Sequence, residues 1–257
     1  MWRRRTRREW DRLAHYFDHL TQAGLLPAWP PKEIIESVLA ELKPNRILDC
    51  ACGSGVLLTE LKERGLDVFG ADISPQMIDL AKKNAAARNI HIPYVTAEWQ
   101  ELPERIAERF DLVLCLGNAL SHCESKRARQ ESIFSIAQML NPGGVLLLDV
   151  RDWVKFRAER ERYAVRGPRY IMGKRVIMVV VNTVPEEWER PVTTEYIVIE
   201  DGDEQLESEL YTTTYFPYNV GDIVDAMQSV GLVNVNSVPF DSGAGFFLFG
   251  VKPGSDT

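Results

Sequence analysis

Little in this sequence points to metals, disulfides or membranes, and each absence narrows the reading. Cysteine is sparse: Cys50, Cys52, Cys115 and Cys123 are the four in 257 residues. The Cys50-Ala51-Cys52 pair lacks the two-residue gap of zinc ligand pairs. Cys50 and Cys115 lie in or beside apolar strand runs, where a free thiol behaves as a small buried hydrophobe, so no metal site is expected. Long apolar runs are missing too. The longest, Val176 to Val181, falls far short of the roughly 18 residues of a spanning helix, and Met1-Trp2-Arg3-Arg4-Arg5 is not followed by the apolar stretch of a signal peptide. The expectation is a cytoplasmic chain with no membrane partner.

An excess of positive charge is also lacking. The net charge is −7, which argues against a nucleic-acid partner over most of the surface. Residues 1 to 12 hold six arginines against Glu9 and Asp11, leaving 24 basic and 35 acidic residues elsewhere, a balance of −11. An exposed amino-terminal helix accounts for that cluster. There is no repeat and no low-complexity tract. Hydrophobic content of 45% and charged content of 26% are ordinary globular values, and the length suits one domain with an excursion better than two equal domains. A homo-oligomer is left open.

What is present is periodic. Residues 6 to 20 place Trp10, Leu13, Ala14, Phe17 and Leu20 at helical spacing, the mark of an amphipathic helix with one buried face. Gly24, Pro27, Pro30 and Pro31 break it, and a second helix is predicted from about Pro31 to Leu42, stopped by Pro44. From Arg46, short apolar runs (Ile47-Leu48, Val68-Phe69, Tyr94-Val95, Leu112 to Leu116, Val145 to Leu148) alternate with helix-length segments. That is the pattern of a parallel sheet covered on both faces. After Asp152 it changes: Arg175 to Thr183, Thr193 to Glu200 and Leu206 to Phe216 read as strands of an antiparallel insert. Asn219 to Val230 resumes as an amphipathic helix ended by Gly231, and strands near Val233 to Val238 and Gly245 to Val251 follow. The expected organisation is an N-terminal helical cap over 1–44, an α/β core over 45–152 and 217–257, and an antiparallel lid insert over 153–216.

One stretch carries ligand-binding chemistry. Ile47-Leu48-Asp49-Cys50-Ala51-Cys52-Gly53-Ser54-Gly55 runs from a strand into a tight turn, with Val56 to Arg64 as the next helix. Glycine permits positive φ and close backbone approach, and the helix start offers unpaired N–H donors. A dinucleotide turn uses the same place, but its third glycine position is Leu58 here, which forbids the close helix-to-strand packing that turn needs. Asp72 ends the second strand, where a carboxylate can accept both hydroxyls of a ribose; it can equally cap the helix opening at Ser74-Pro75. Ala97-Glu98-Trp99 follows the third strand at a ligand-binding edge, with Trp99 either stacking near a base or serving as core, and Glu98 or its backbone accepting from a base amino group.

Together Leu48 to Gly55, Ala71-Asp72-Ile73-Ser74 and Asn141-Pro142-Gly143-Gly144 resemble the class I S-adenosylmethionine methyltransferases, over roughly residues 45 to 150. The resemblance implies a Rossmann-like α/β fold: a seven-stranded, mostly parallel sheet, here with the antiparallel β insert and the N-terminal helical lid. It also implies S-adenosylmethionine as cofactor, with Asp49, Ala51, Gly53, Gly55, Asp72, Ile73, Met77, Ala97, Glu98, Trp99 and Leu116 around it. Cys115 to His122, Leu148 to Trp153 and Tyr215-Phe216-Pro217-Tyr218 are similar to the glycine and sarcosine N-methyltransferase branch. That likeness implies a small amine acceptor with a carboxylate, gripped by Arg151 and oriented by Asn118.

Arg151 lies just past the carboxyl end of a strand, where a guanidinium can bind a carboxylate through two parallel hydrogen bonds; an ion pair with Asp149 or Asp152 is the alternative. Asn118 stands as either a substrate ligand or a turn residue. Tyr215, with Tyr16 or Tyr196, offers hydroxyls or ring faces beside a sulfonium, and His122 either helps remove a proton or makes a structural hydrogen bond. Tyr16 and Asp18 are expected in the lid. No arginine matches a partner for the cofactor carboxylate, which leaves Lys32. A larger amino-sugar or hydroxylated acceptor, or binding without catalysis, are the alternatives. An amine nucleophile must be neutral, so turnover is expected to rise at mildly alkaline pH.

Overall fold

The computed structural model describes residues 2–26, 32–159, 162–202 and 205–254. Pro27, Pro30 and Pro31, read above as the break between the first helices, lie outside the described residues, as does the side chain of Lys32. In chain order the elements are α1 (Trp2–Gln22), α2 (Lys32–Leu42), β1 (Arg46–Asp49), α3 (Val56–Glu63), β2 (Asp67–Asp72), α4 (Pro75–Ala87), β3 (Tyr94–Thr96), α5 (Leu102–Arg105), β4 (Phe110–Cys115), α6 (Lys126–Ala137), β5 (Leu140–Arg151) and α7 (Trp153–Glu159). Then come β6 (Tyr163–Ile171), β7 (Lys174–Thr183), β8 (Val192–Asp201), β9 (Leu206–Tyr215), α8 (Val220–Ser229), β10 (Val233–Pro239) and β11 (Gly245–Val251). No described helix is long and apolar enough to cross a membrane.

Seven strands form one sheet in the order β10-β11-β5-β4-β1-β2-β3. Only β11 runs against its neighbours, pairing antiparallel with both β5 and β10. The continuous apolar strands follow from burial on both faces. Side chains alternate along a strand, so Leu48, Val113, Leu146 and Leu148 point into one core layer with Ile133 and Ile136 of α6 and Ile223 and Met227 of α8. Ile47, Leu112, Leu114, Val145 and Leu147 point into the other, with Ile35, Val38 and Leu39 of α2 and Leu58 and Leu61 of α3. Each such fully buried leucine contributes about 1.5–3 kcal/mol.

The insert is a four-stranded antiparallel sheet in the order β6-β7-β8-β9. Its first strand, β6, and helix α7 have no counterpart in the sequence reading. One face of this sheet carries Val176, Met178, Val180, Val198 and Tyr211, and packs against Leu13 and Leu20 of α1. The helix begins four residues earlier than its apolar spacing indicated, because Trp2 and Thr6 extend the buried stripe through the arginines. α1 therefore bridges helix α4 and the insert sheet. Ser74 Oγ donates to Asp11 at 2.6 Å and Asn84 Nδ2 donates to Asp18 at 2.6 Å on the α4 side. On the insert side, Thr214 Oγ1 donates to Glu9 at 2.9 Å and Arg12 Nη2 to the Leu210 carbonyl at 3.1 Å.

Candidate active site

A cavity of about 550 Å³ lies at the carboxyl ends of β1, β2 and β4, roofed by α1. That edge is where the strand order reverses between β1 and β4, the place at which open α/β sheets bind ligands. Its floor is the turn after β1. Gly53 sits at φ +52 with nothing within 4 Å of the position a Cβ would take, so the backbone is open to close approach. Gly55, grouped above with the cofactor residues, is outside the cavity lining. At φ +72 a Cβ there would stand 2.6 Å from Tyr94 Oη and 2.8 Å from the Ala81 Cβ; its bare backbone makes room for the Tyr94 ring.

Asp72 lines the cavity and holds the turn. The Gly53 N–H donates to its Oδ2 at 3.0 Å and the Ser74 N–H to its Oδ1 at 2.9 Å. The cap of α4 is Ser74, whose Oγ accepts the Met77 N–H at 3.0 Å, so Asp72 is not the helix cap. Each carboxylate oxygen keeps a further lone pair for a ligand hydroxyl. Burial pushes Asp72 up to about 6. Asp49, 5% exposed and accepting the Ala51 N–H at 3.1 Å, is pushed up to about 7, mainly by burial and further by Asp72 and Asp149.

Ala51, Ile73, Met77, Ala97, Glu98, Trp99 and Leu116 all line the same cavity. Trp99 Nε1 donates to the Cys50 carbonyl at 2.8 Å, tying the segment after β3 to the turn after β1. The Trp2 ring lies 6.5 Å from that of Trp99. The Glu98 carboxylate is bound by Arg3 at 2.8 Å. Trp2, Arg3 and Trp10 thus enter the site from α1, which apolar spacing over residues 6 to 20 did not indicate for the first two.

Tyr16 does not reach the cavity. At 100° per residue it sits roughly 100° round α1 from Trp10 and Phe17, which do. Its hydroxyl donates to Glu200 at 3.1 Å, and burial together with that carboxylate pushes it up to about 12. Asp18 does line the cavity.

A second group gathers beside the first, at the ends of β4 and β5. His122 lines the cavity, is 3% exposed, and its Nδ1 lies 3.1 Å from the Thr214 carbonyl. A carbonyl can only accept, so Nδ1 carries the proton and Nε2 presents a lone pair. Nε2 is buried without a partner, and burial lowers the imidazole to about 4. The ring is held edge-on by Trp10 at 5.8 Å and packed against Tyr215 at 5.1 Å.

Asn118 takes the left-handed conformation at φ +56, which asparagine tolerates better than most residues. Its N–H donates to both oxygens of Asp149, at 2.9 and 3.0 Å. Its Oδ1 accepts from Ser121 Oγ at 2.5 Å and from the Arg151 N–H at 3.3 Å, while its Nδ2 is buried with no partner. The Arg151 guanidinium stands 5.2 Å from the Trp153 ring, 4.9 Å from Phe156 and 5.6 Å from Tyr215, and forms no ion pair among the described residues. Tyr215 is buried, its hydroxyl paired with that of Tyr196. Asp149, offered by the sequence as an ion-pair partner for Arg151, instead accepts the Asn118 N–H, and Thr214, which positions His122, carries no signal in the sequence.

The strand order, the glycine turn after β1 and the acid closing β2 are those of the class I S-adenosylmethionine-dependent methyltransferases. Residues 47–144 match the family model described as a methyltransferase domain. It is 31% identical over 145 residues to the glycine/sarcosine N-methyltransferase of Aphanothece halophytica, covering 56% of this chain and 52% of that protein. Against the glycine/sarcosine N-methyltransferase of Parasynechococcus marenigrum it is 27% identical over 230 residues, 89% of this chain and 74% of that one. The chain thus spans about half the length of the first of these relatives. Among solved structures, an S-adenosylmethionine-bound amino pentose methyltransferase of calicheamicin biosynthesis from Micromonospora echinaspora superposes with a TM-score of 0.70 at 20% identity, over 86% of this chain and 89% of that chain.

Proposed function

We propose that the protein is an S-adenosylmethionine-dependent N-methyltransferase acting on a small amino acid or amine of the glycine or sarcosine kind. The observation that carries this is Arg151, a guanidinium with no carboxylate partner among the described residues, held among three rings, whose own backbone N–H lies 3.3 Å from the side chain of Asn118, a residue with an amide nitrogen that also lacks a partner. A carboxylate supplies what both are missing. The Gly53 cradle and the Asp72 carboxylate fit the nucleoside and methionyl parts of the cofactor. When bound, the cofactor supplies an electrophilic methyl group on a sulfonium.

The chain's own residues then do the positioning. Arg151 grips the acceptor carboxylate by two parallel hydrogen bonds, and Asn118 Nδ2 donates to the same group. His122 Nε2, unprotonated at neutral pH, accepts a hydrogen bond from the amine and aims its lone pair. α1 excludes water. Alignment of this kind lowers a displacement barrier by about 7–11 kcal/mol, so no strong base is required. On this reading residues 1–44 are the cap, 45–152 with 217–257 the cofactor domain, and 153–216 the lid that brings Tyr215 and Tyr196 to the acceptor.

An amino-sugar acceptor is the second reading, favoured by the structural likeness to the amino pentose enzyme along most of the chain. Incubation with labelled cofactor and a panel of glycine, sarcosine, dimethylglycine, amino sugars and phenols separates the two. Label on glycine or sarcosine supports the first; label on amino sugars alone supports the second; no S-adenosylhomocysteine with any acceptor removes both.

A further inference from the structure

We infer that Tyr218 and Ser121 are positioning residues that hold the Asn118 side-chain amide with its NH2 group, not its oxygen, turned to the acceptor. This rests on the reading of Asn118 as a donor to the acceptor carboxylate. A side-chain amide carries an accepting oxygen on one arm and two donor hydrogens on the other, and turning it over exchanges the two at little steric cost. The groups around it therefore decide which arm meets a ligand. Here three donors converge on the oxygen. The Arg151 N–H lies 3.3 Å from Asn118 Oδ1, Ser121 Oγ 2.5 Å and Tyr218 Oη 3.3 Å. A backbone N–H can only donate, so the reversed amide would set donor against donor at Arg151. That leaves Nδ2 as the arm without a partner, and it is buried.

The direction of the Ser121 proton follows from Trp153. An indole N–H only donates, and Trp153 Nε1 lies 3.3 Å from Ser121 Oγ. It occupies a lone pair of the serine and leaves the hydroxyl proton for Asn118. Tyr218 Oη stands 3.4 Å from the same Oγ, which closes the three side chains and the amide into one network. Ser121 and Trp153 are fully buried and Tyr218 is 1% exposed, so water does not compete for these bonds and the low dielectric strengthens them. Trp153 opens α7, where the chain leaves the α/β core, and Tyr218 precedes α8, where it returns. The Trp153 ring also lies 5.2 Å from the Arg151 guanidinium. One frame thus orients both groups that meet the carboxylate, the guanidinium through the Trp153 ring and the amide through Ser121 and Tyr218.

The test is Tyr218→Phe, which removes one hydroxyl and keeps the ring that faces the Arg129 guanidinium at 5.0 Å. KM for glycine or sarcosine is expected to rise about three- to tenfold, the worth of one hydrogen bond, with kcat and the calorimetric Kd for S-adenosylhomocysteine little changed. In an Asn118→Ala background the same substitution should leave KM where it was, because no amide remains to be oriented. A merely structural role would raise KM equally in both backgrounds. Proton–nitrogen spectra of the chain carrying isotope-labelled asparagine show the amide without any acceptor, its signals assigned by their loss in Asn118→Ala. Tyr218→Phe is expected to shift and broaden them as the amide samples both orientations. Should that variant fail to fold by circular dichroism, Ser121→Ala is read in the same way. An unchanged KM, a rise that persists in Asn118→Ala, or unmoved Asn118 signals overturns the inference. If neither glycine nor sarcosine takes label while the Asn118 signals move, the acceptor reading falls and the orienting role stands.

Discussion

Asp72→Asn separates two roles of one carboxylate, because they respond with opposite signs. In the folded chain the acid is raised from 3.8 to about 6, so keeping it ionised costs about 3 kcal/mol at neutral pH, with the backbone hydrogen bonds already counted. That cost is absent below pH 3.8 and full above pH 6. Asparagine removes it but offers one acceptor where Gly53 and Ser74 need two, a loss of about 1–3 kcal/mol. The two changes nearly cancel, and stability without ligand is expected to stay within about 2 kcal/mol of the wild type, a few degrees in Tm for a chain of this size. Cofactor affinity has no such compensation. Two hydrogen bonds from ribose hydroxyls to a carboxylate are worth about 1.5–3 kcal/mol each, and losing about 3 kcal/mol in all raises Kd about a hundredfold. Calorimetry with S-adenosylhomocysteine beside thermal melts reads both quantities. A Tm lowered by more than about 10 °C with Kd changed less than threefold would show that Asp72 only pins the turn, and the ribose role would be refuted.

Arg151→Ala is expected to raise KM for glycine or sarcosine at least tenfold, about 1.4 kcal/mol, with Arg151→Lys between, since an ammonium cannot form the paired contact; an unchanged KM discards the anchor. Gly55→Ala puts a Cβ 2.6 Å from Tyr94 Oη and should cost about 1–3 kcal/mol in urea unfolding. Gly53→Ala has open space around it, so it should lose less stability and more cofactor affinity, and equal stability losses would contradict that division. His122 is lowered from 6.5 to about 4 by burial. The unfolded chain therefore takes up a proton that the native imidazole refuses, and stability should fall by up to about 3 kcal/mol as pH drops from 6.5 towards 4. Urea titrations at pH 4.5 and 7 on His122→Asn should lack that part of the fall; an unaltered pH dependence would place the effect elsewhere.

The parallel sheet and its turn were legible because their signals are local. A buried strand writes itself as a short apolar run, and the glycine turn and terminal acid follow it within a few residues. Strand β6 was not legible: Gly167 and Pro168 interrupt it, its register with β7 shifts between Arg166 and Arg169, and its exposed positions carry tyrosine and valine where alternation would place polar residues. The α1 spacing identified a helix but could not say which stripe meets the cavity, and this put Tyr16 in the site and left Trp2 and Arg3 out. Gly55 was read with Gly53 because both sit in one turn, yet only the packing of Tyr94, about forty residues on, shows why the second must lack a side chain. Asn118 lies in the turn after β4, while Arg151 and Tyr215 end β5 and β9, and no spacing in the chain relates them.

The placement of α1 has a consequence for turnover. The helix is fastened on one side by Asp11 and Asp18 to α4, and on the other by Glu9, Arg12 and Tyr16 to the insert. Exchange of nucleoside for nucleoside cannot proceed by fraying of a free end while both sets of bonds hold. Releasing the α4 side alone leaves the helix riding on the insert, so the roof of the cavity opens only when both sets of bonds part or when helix and insert move together.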